Sequence, residues 1–378
     1  MNFIISNWPI EDDHAEAILR SPSGSPWHFW TVIDGHVGWE TSAALAERLI
    51  PSVSGALQGL YSRRENPSSE AINSAIKDAF ISLDNDFVYT SVEKALDSGS
   101  RKEAAQLLSQ AWAGAVALLA FYDQARGEVK VALTGDLRAV RGRRSVDGKW
   151  ETKVLTVEQD GDNEEEADRI RREHPGEPDV IKDGRVLGWQ PTRAFGDAGM
   201  KWSLQIQRTV RDKFLGGRRI SDKVKTPPYF TAEPVITTTD VKDGDFLILG
   251  CDGLWECLTS EEAVALVGQW VDVYGSKDAR SVNEDVRSSS MKYKVNVSSS
   301  APSRTRDKTI AYEEWKIPKQ FVMVDDNVAT HLIRNSLGGA DKETMAALLT
   351  RTGDLARRLR CALYLNTTDF CTDDSTQG

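Results

Sequence analysis

Two neighbouring apolar runs, AGAVALLAFYD (113–123) and EVKVALTGD (128–136), constrain the fold more than any other stretch of this chain. Gln124-Ala125-Arg126-Gly127 separates them, a short link ending in glycine that reads as a hairpin turn between antiparallel strands. HFWTVID (28–34) reads as a further strand ending at Asp34, and DFLILGCDGLW (245–255) as a buried strand that also ends at an acidic residue. Helical stretches intervene. One follows Asp34, with apolar residues at Ala43, Ala44, Leu45, Leu49 and Ile50. Paired helices are expected from about Ser68 to Trp112, where Ala, Leu, Lys and Glu dominate and no Pro follows Pro67. Strands, then helices, then strands again predict an α+β layered fold rather than a doubly wound parallel sheet.

Composition narrows the function classes. With 378 residues, 40% apolar and 28% charged, the chain has room for a substantial core. A net charge of −10 argues against nucleic-acid binding, which needs a broad basic face. Cys251, Cys257, Cys361 and Cys371 show neither paired zinc spacing nor a disulfide framework, so a reducing compartment is expected. No apolar run approaches the roughly 18 residues of a membrane span. The opening MNFIISNWPIEDDHAEAILR is too short and too acidic for a signal or transit peptide. Two segments stand apart. Lys201, Arg208, Arg211, Lys213, Arg218, Arg219, Lys223 and Lys225 make the stretch 201–225 basic, either as a solvated loop or as a flap that attracts a phosphorylated surface. Residues 276–311, with SSS twice, read as a mobile insertion without catalytic residues.

Acidic residues beside glycine or at strand ends carry the chemistry: Glu11-Asp12, Asp34-Gly35-His36 and Asp252-Gly253. An Asp-Gly pair alone is most often a turn. Together these groups suit a hard cation such as Mg²⁺ or Mn²⁺, which takes oxygen ligands from a few carboxylates and keeps several waters. An Asp at the end of a buried strand has a fixed direction, and a following Gly lets its carbonyl turn to the same ion. Two such ions, about 3.5–4 Å apart in two-metal sites, activate a water as nucleophile. His36 is placed to protonate a departing seryl oxygen. No G-x-S-x-G elbow, Walker loop or H-E-x-x-H motif competes with this reading.

In order, the motifs resemble the protein phosphatase 2C family of metal-dependent serine/threonine phosphatases. PIEDDHAE (9–16) is similar to its first acidic motif and VIDGHVGWETS (32–42) to its DGHGG motif. LTGDLRAV (133–140), LTVEQDGDNEEEADRI (155–170), TRAFGD (192–197) and GCDGLWE (250–256) are similar to further blocks. SNWPIEDD, EHP (173–175), RAFGDAGMKW, TPPYFTAEP (226–234) and NVATHLIRNSLGG (327–339) resemble the pyruvate dehydrogenase phosphatase branch, which acts in the mitochondrial matrix. The resemblance implies a sandwich of two antiparallel β-sheets flanked by helices, in α-β-β-α layers, forming a single catalytic domain over 1–360 with a basic flap at about 199–229. It implies that Asp34 bridges two ions of Mg²⁺ or Mn²⁺, that the Gly35 carbonyl binds one and Asp252 the other. It implies further that Glu11 and Asp12 reach metal waters, that His36 is the acid, and that Asp136 and Glu256 are supporting groups. The implied partner is a phosphorylated protein, pyruvate dehydrogenase by branch. Asn7 stands where most of the family has a phosphate-binding Arg, as it does in that branch.

Two departures qualify this. Val37 replaces the first Gly after His36, and a β-branched side chain strains a backbone that needs positive φ. Reduced activity is expected there. After LARRLR (355–360) the branch continues with Arg-Asp-Asp, whose Asp is a metal ligand, and then a last strand. Here Cys361 begins an atypical tail (361–378), so that ligand and the last strand are expected to be missing. Asp326 is expected to cap the helix beginning near Ala329. The alternative function is a catalytically impaired, phosphatase-like binding or scaffold protein; a nuclease is disfavoured by charge.

Overall fold

A computed structural model describes residues 2–4, 9–214, 221–275, 309–350 and 363–369. The expected insertion at 276–311 falls almost wholly outside these residues, as do Asn7, the helix expected to end at 360, and Cys361. In chain order the strands are β1 (Asn2–Ile4), β2 (Asp13–Arg20), β3 (Pro26–His36), β4 (Gly114–Asp123), β5 (Glu128–Thr134), β6 (Arg138–Arg144) and β7 (Trp150–Val154). They continue with β8 (Ile181–Lys182), β9 (Arg185–Val186), β10 (Phe195–Gly196), β11 (Val235–Asp240), β12 (Phe246–Gly250) and β13 (Leu363–Asp369). The fold is α+β, with antiparallel sheets and helices, as the sequence predicts. The chain divides into two compact units, one of Glu11–Leu137 and Val157–Thr239, the other of Met1–Ile10, Arg138–Thr156 and Asp240–Gly378.

In the first of these units the sheet runs β11-β5-β4-β3-β2, with β10 also paired to β4. The central β4 is buried along almost its whole length, which explains an apolar run with no polar alternation. The edge strand β2 instead alternates half-buried with exposed residues along its second half. The hairpin forms as predicted, with Asp123 opposite Glu128 and the Gly127 N–H donating to the Gln124 carbonyl at 3.3 Å. Helices Glu40–Arg63, Ser69–Asn85, Ser91–Asp97 and Arg101–Trp112 supply the helical layer, with a π-helical turn at Asp86–Thr90. Ser68 and Ser100 cap two of them, accepting from the Ala71 N–H (3.3 Å) and the Glu103 N–H (3.2 Å). Leu45, Leu49, Ile76 and Phe80 from these helices join Phe29, Ile33, Leu119 and Phe121 from the sheet in one buried cluster. Each such side chain contributes about 1.5–3 kcal/mol on burial.

The other unit carries the sheet β1-β13-β12-β6-β7. Val140, Phe246, Ile248, Leu254, Trp255, Val264 and Leu332 are part of its core. The helix Ser260–Tyr274 starts at a capping box between Thr259 and Glu262. Three expectations are corrected here. The run from Asp245 does not stay extended to Trp255. It ends at Gly250, and Asp252–Trp255 is a helical turn, because turning buries Leu254 and Trp255 and lets Trp255 Nε1 donate to the Gly250 carbonyl at 3.0 Å. The last strand is present: β13 lies between β12 and β1, with Ile248 opposite Thr367 and Phe3 opposite Tyr364. LYLNTTD is rich in strand-forming residues, and pairing it gives the backbone groups of β12 partners on that side. The cap of helix Val328–Ser336 is Asn327, whose Oδ1 accepts the Thr330 N–H at 3.0 Å, not Asp326. Asp325 instead takes Arg334 through both oxygens, at 2.7 and 2.8 Å.

The basic stretch also changes character. Its first half is helical, at Ala198–Lys201 and Leu204–Lys213, and Arg218 and Arg219 lie outside the described residues. Lys201 is no surface charge, since it is buried against Asp84 at 2.6 Å. Among the described residues no helix is long and apolar enough to cross a membrane.

Candidate active site

The pairing of β2 with β3 sets Glu11 and Asp12, just before β2, alongside Asp34 and Gly35 at the end of β3. A side chain on Gly35 would put its Cβ 2.1 Å from the Glu11 carbonyl oxygen, so only glycine permits this approach. The Gly35 N–H donates to Asp12 Oδ1 at 3.4 Å. One carboxylate oxygen of buried Asp12 and one of half-buried Asp34 lie within 4.8 Å of each other. Like charges brought so close and partly withdrawn from water repel, and a divalent cation offsets that repulsion. The carboxylate oxygens of Asp12 and Asp34 are donors of the kind that suits Mg²⁺ or Mn²⁺.

His36 closes β3 opposite Gly114 of β4. Its Nε2 lies 2.7 Å from Asp197 Oδ2, with the His36 side chain 26% exposed and that of Asp197 only 3%. Burial draws the imidazole toward its neutral form, but the Asp197 carboxylate, by charge and hydrogen bond, and the charge of Asp136 outweigh it, so the His36 pKa is raised. Asp136 follows Gly135, whose N–H donates to Gln159 Oε1 at 2.8 Å and whose carbonyl accepts from the Gln159 N–H at 2.9 Å. A Cβ at Gly135 would sit 2.2 Å from a Val116 methyl, and φ there is 109°, so the turn that aims Asp136 is built for glycine. Glu11, Asp12, Asp34, Gly35, His36 and Asp136 thus belong to one unit.

Sequence reasoning missed Asp197 as a site residue, although it closes the TRAFGD block; an acid following glycine inside a matched block was the available signal. It also left the Glu of the LTVEQDGDNEEEADRI block without a role. Glu166 takes Arg193 through both oxygens (3.0 and 2.6 Å), together with Arg169 (2.9 Å) and the Thr192 hydroxyl (2.7 Å). It thereby ties that block to TRAFGD. Burial opposes the charge, but the hydrogen bonds and charges of Arg193 and Arg169 prevail and hold its carboxyl at about 2. Val37 has φ 66° and Gly38 φ 147°, so the position after His36 does require the left-handed region that valine resists.

Asp252 and Glu256 belong to the other unit. Asp252 opens the short helix, and its carbonyl accepts the Glu256 N–H at 2.8 Å. Burial, with Asp252 and Glu314 nearby, pushes the Glu256 carboxyl up to about 7. Burial and like charge both favour the neutral carboxyl there.

A family model described as Protein phosphatase 2C matches residues 8–298, more than half of the chain, which therefore belongs to that family and is a metal-dependent protein serine/threonine phosphatase. A protein phosphatase 2C homologue of Schizosaccharomyces pombe is 40% identical over 367 residues, covering 95% of this chain and 77% of the relative. The mitochondrial [pyruvate dehydrogenase [acetyl-transferring]]-phosphatase 1 of Saccharomyces cerevisiae is 36% identical over 389 residues, covering 97% of this chain and 67% of that protein. A serine-threonine phosphatase 2C of Toxoplasma gondii, of known crystal structure, is 21% identical with a TM-score of 0.47, covering 69% of this chain and 79% of that one.

Proposed function

We propose that this phosphatase removes phosphate from phosphoserine or phosphothreonine of pyruvate dehydrogenase in the mitochondrial matrix, using two ions of Mg²⁺ or Mn²⁺. The likeness to the Saccharomyces cerevisiae enzyme supports the substrate and its compartment. The observation that supports the chemistry is the Gly35 cradle, where the Glu11 carbonyl packs too close to Gly35 for any side chain and carboxylate oxygens of Asp12 and Asp34 lie within 4.8 Å of each other. Asp34 and the Gly35 carbonyl, with Asp252 from the GCDGLWE block, are the proposed metal ligands; Glu11 and Asp12 act through metal waters. When bound, the ions supply Lewis-acid charge for the phosphoryl oxygens and an activated water. His36 gives a proton to the seryl oxygen as it departs. Asp136 and Glu256 are supporting groups, and with Asn7 in place of an arginine more of the phosphate binding falls to the metals.

The test is phosphate release from phosphorylated pyruvate dehydrogenase and from a phosphoserine peptide. Turnover is expected to require added Mn²⁺ or Mg²⁺ and to fall at least about 100-fold in Asp34→Asn or Asp252→Asn. Full activity after chelation overturns the metal reading, and equal rates on pyruvate dehydrogenase and unrelated phosphoproteins overturn the substrate.

A further inference from the structure

The segment Ala194–Lys201, a two-residue strand followed by one helical turn, is held by a set of buried polar contacts. Lys201 and Asp84 make a buried ion pair at 2.6 Å. Lys201 Nζ also donates to the Ala194 carbonyl at 2.7 Å, and Asp84 Oδ1 accepts the Gly196 N–H at 2.8 Å. Gly196 is packed so closely that a Cβ would lie 2.2 Å from the Ala113 carbonyl oxygen. Asp197 then adopts φ 48°, a left-handed conformation that costs a non-glycine residue about 1–2 kcal/mol. Its own N–H donates to the Ala113 carbonyl at 3.0 Å, and its carbonyl accepts the Met200 N–H at 2.8 Å.

All of this fixes one side chain. Asp197 Oδ2 meets His36 Nε2 at 2.7 Å, and the neighbouring strand is shaped around the pair: a Cβ at Gly114 would lie 2.2 Å from His36 Nε2 and 2.5 Å from Asp197 Oδ2. A buried carboxylate held this rigidly accepts from the ring N–H and sets both tautomer and orientation.

Building on the proposed role of His36, we infer that Asp197 is its positioning residue: it keeps the proton on Nε2 and leaves Nδ1 to serve the leaving group. In the step, an O–P bond forms from the attacking water, which yields a proton to solvent, and the seryl O–P bond breaks. The bonding pair goes to the seryl oxygen, which takes the proton from Nδ1 of the imidazolium. The Nε2–H stays with Asp197 throughout, and the ring is reprotonated by solvent.

Leaving-group dependence tests this. A seryl alkoxide needs a proton on departure, whereas the nitrophenolate of p-nitrophenyl phosphate does not. In Asp197→Asn the ratio of turnover on a phosphoserine peptide to turnover on p-nitrophenyl phosphate is expected to fall about 10-fold or more, as in His36→Ala. The double variant is expected to lose no more than His36→Ala alone. An unchanged ratio, or additive losses, overturns the assignment. Should Asp197→Asn fail to fold, ¹⁵N NMR of the wild-type histidines decides. Neutral His36 is expected to carry its proton on Nε2, and a proton on Nδ1 rejects the inference. A wild type inactive on both substrates would instead overturn the proposed function.

Discussion

Val37 stands where the resemblance leads us to expect glycine, and the backbone records the consequence. At φ 66° a β-branched side chain is forced into a region that costs L-residues about 1–2 kcal/mol, and the residue is 38% exposed. Val37→Gly is therefore expected to raise the unfolding free energy by about 1 kcal/mol in urea denaturation without lowering turnover. A loss of stability would mean that the valine side chain contributes packing not evident in its exposure. Residue-scale geometry was legible in the sequence where a motif fixed both type and neighbour, as at Asp34-Gly35-His36. The pairings that Asp197 and Lys201 make were not legible. Their partners, His36 and Asp84, lie more than a hundred positions away, and no local pattern encodes a pairing across that distance.

At the scale of elements, the helix Glu164–Glu173 and the segment carrying Thr192 and Arg193 are joined through Glu166. Its folded carboxyl, at about 2, lies below its ordinary value of 4.5. The stabilisation is thus fully present above pH 4.5 and is lost as pH falls toward 2. Glu166→Gln leaves Arg193 buried with weaker partners. It is expected to cost about 3 kcal/mol at neutral pH and to flatten the acid limb of stability between those values. A variant whose acid limb matches the wild type would show that other carboxylates govern it. Strands and helices themselves were largely readable, because β4 carries an apolar run that only a buried strand explains and Ser68 and Ser100 announce helix starts. The boundaries at Gly250 and Asn327 were misplaced by one or a few residues. Those choices depend on what Trp255 and Asp325 find to bond with after folding. The final strand was misjudged for another reason: an unfamiliar tail was weighed by its missing motif rather than by the strand propensity of LYLNTTD.

For the whole molecule, a bound cation is a stabilising ligand as well as a reagent. Mn²⁺ at about 100 times its dissociation constant adds about 2.7 kcal/mol to the folded state. For a chain of this size that is roughly 3–4 °C in melting midpoint by calorimetry. The gain is expected to vanish in Asp34→Asn, and a metal-independent midpoint in the wild type would contradict the acidic cradle as a binding site. The order β1-β13-β12-β6-β7 has a further consequence, for the birth of the protein. Every residue of the unit spanning Glu11–Leu137 and Val157–Thr239 has been synthesised while the ribosome still has more than a hundred codons to read. Strand β1, by contrast, pairs among the described residues with β13 alone, so that pairing must wait until Leu363–Asp369 has been synthesised. Maturation is therefore ordered by the path of the chain: one unit can settle early, and the sheet of the other is completed only once β13 has been made.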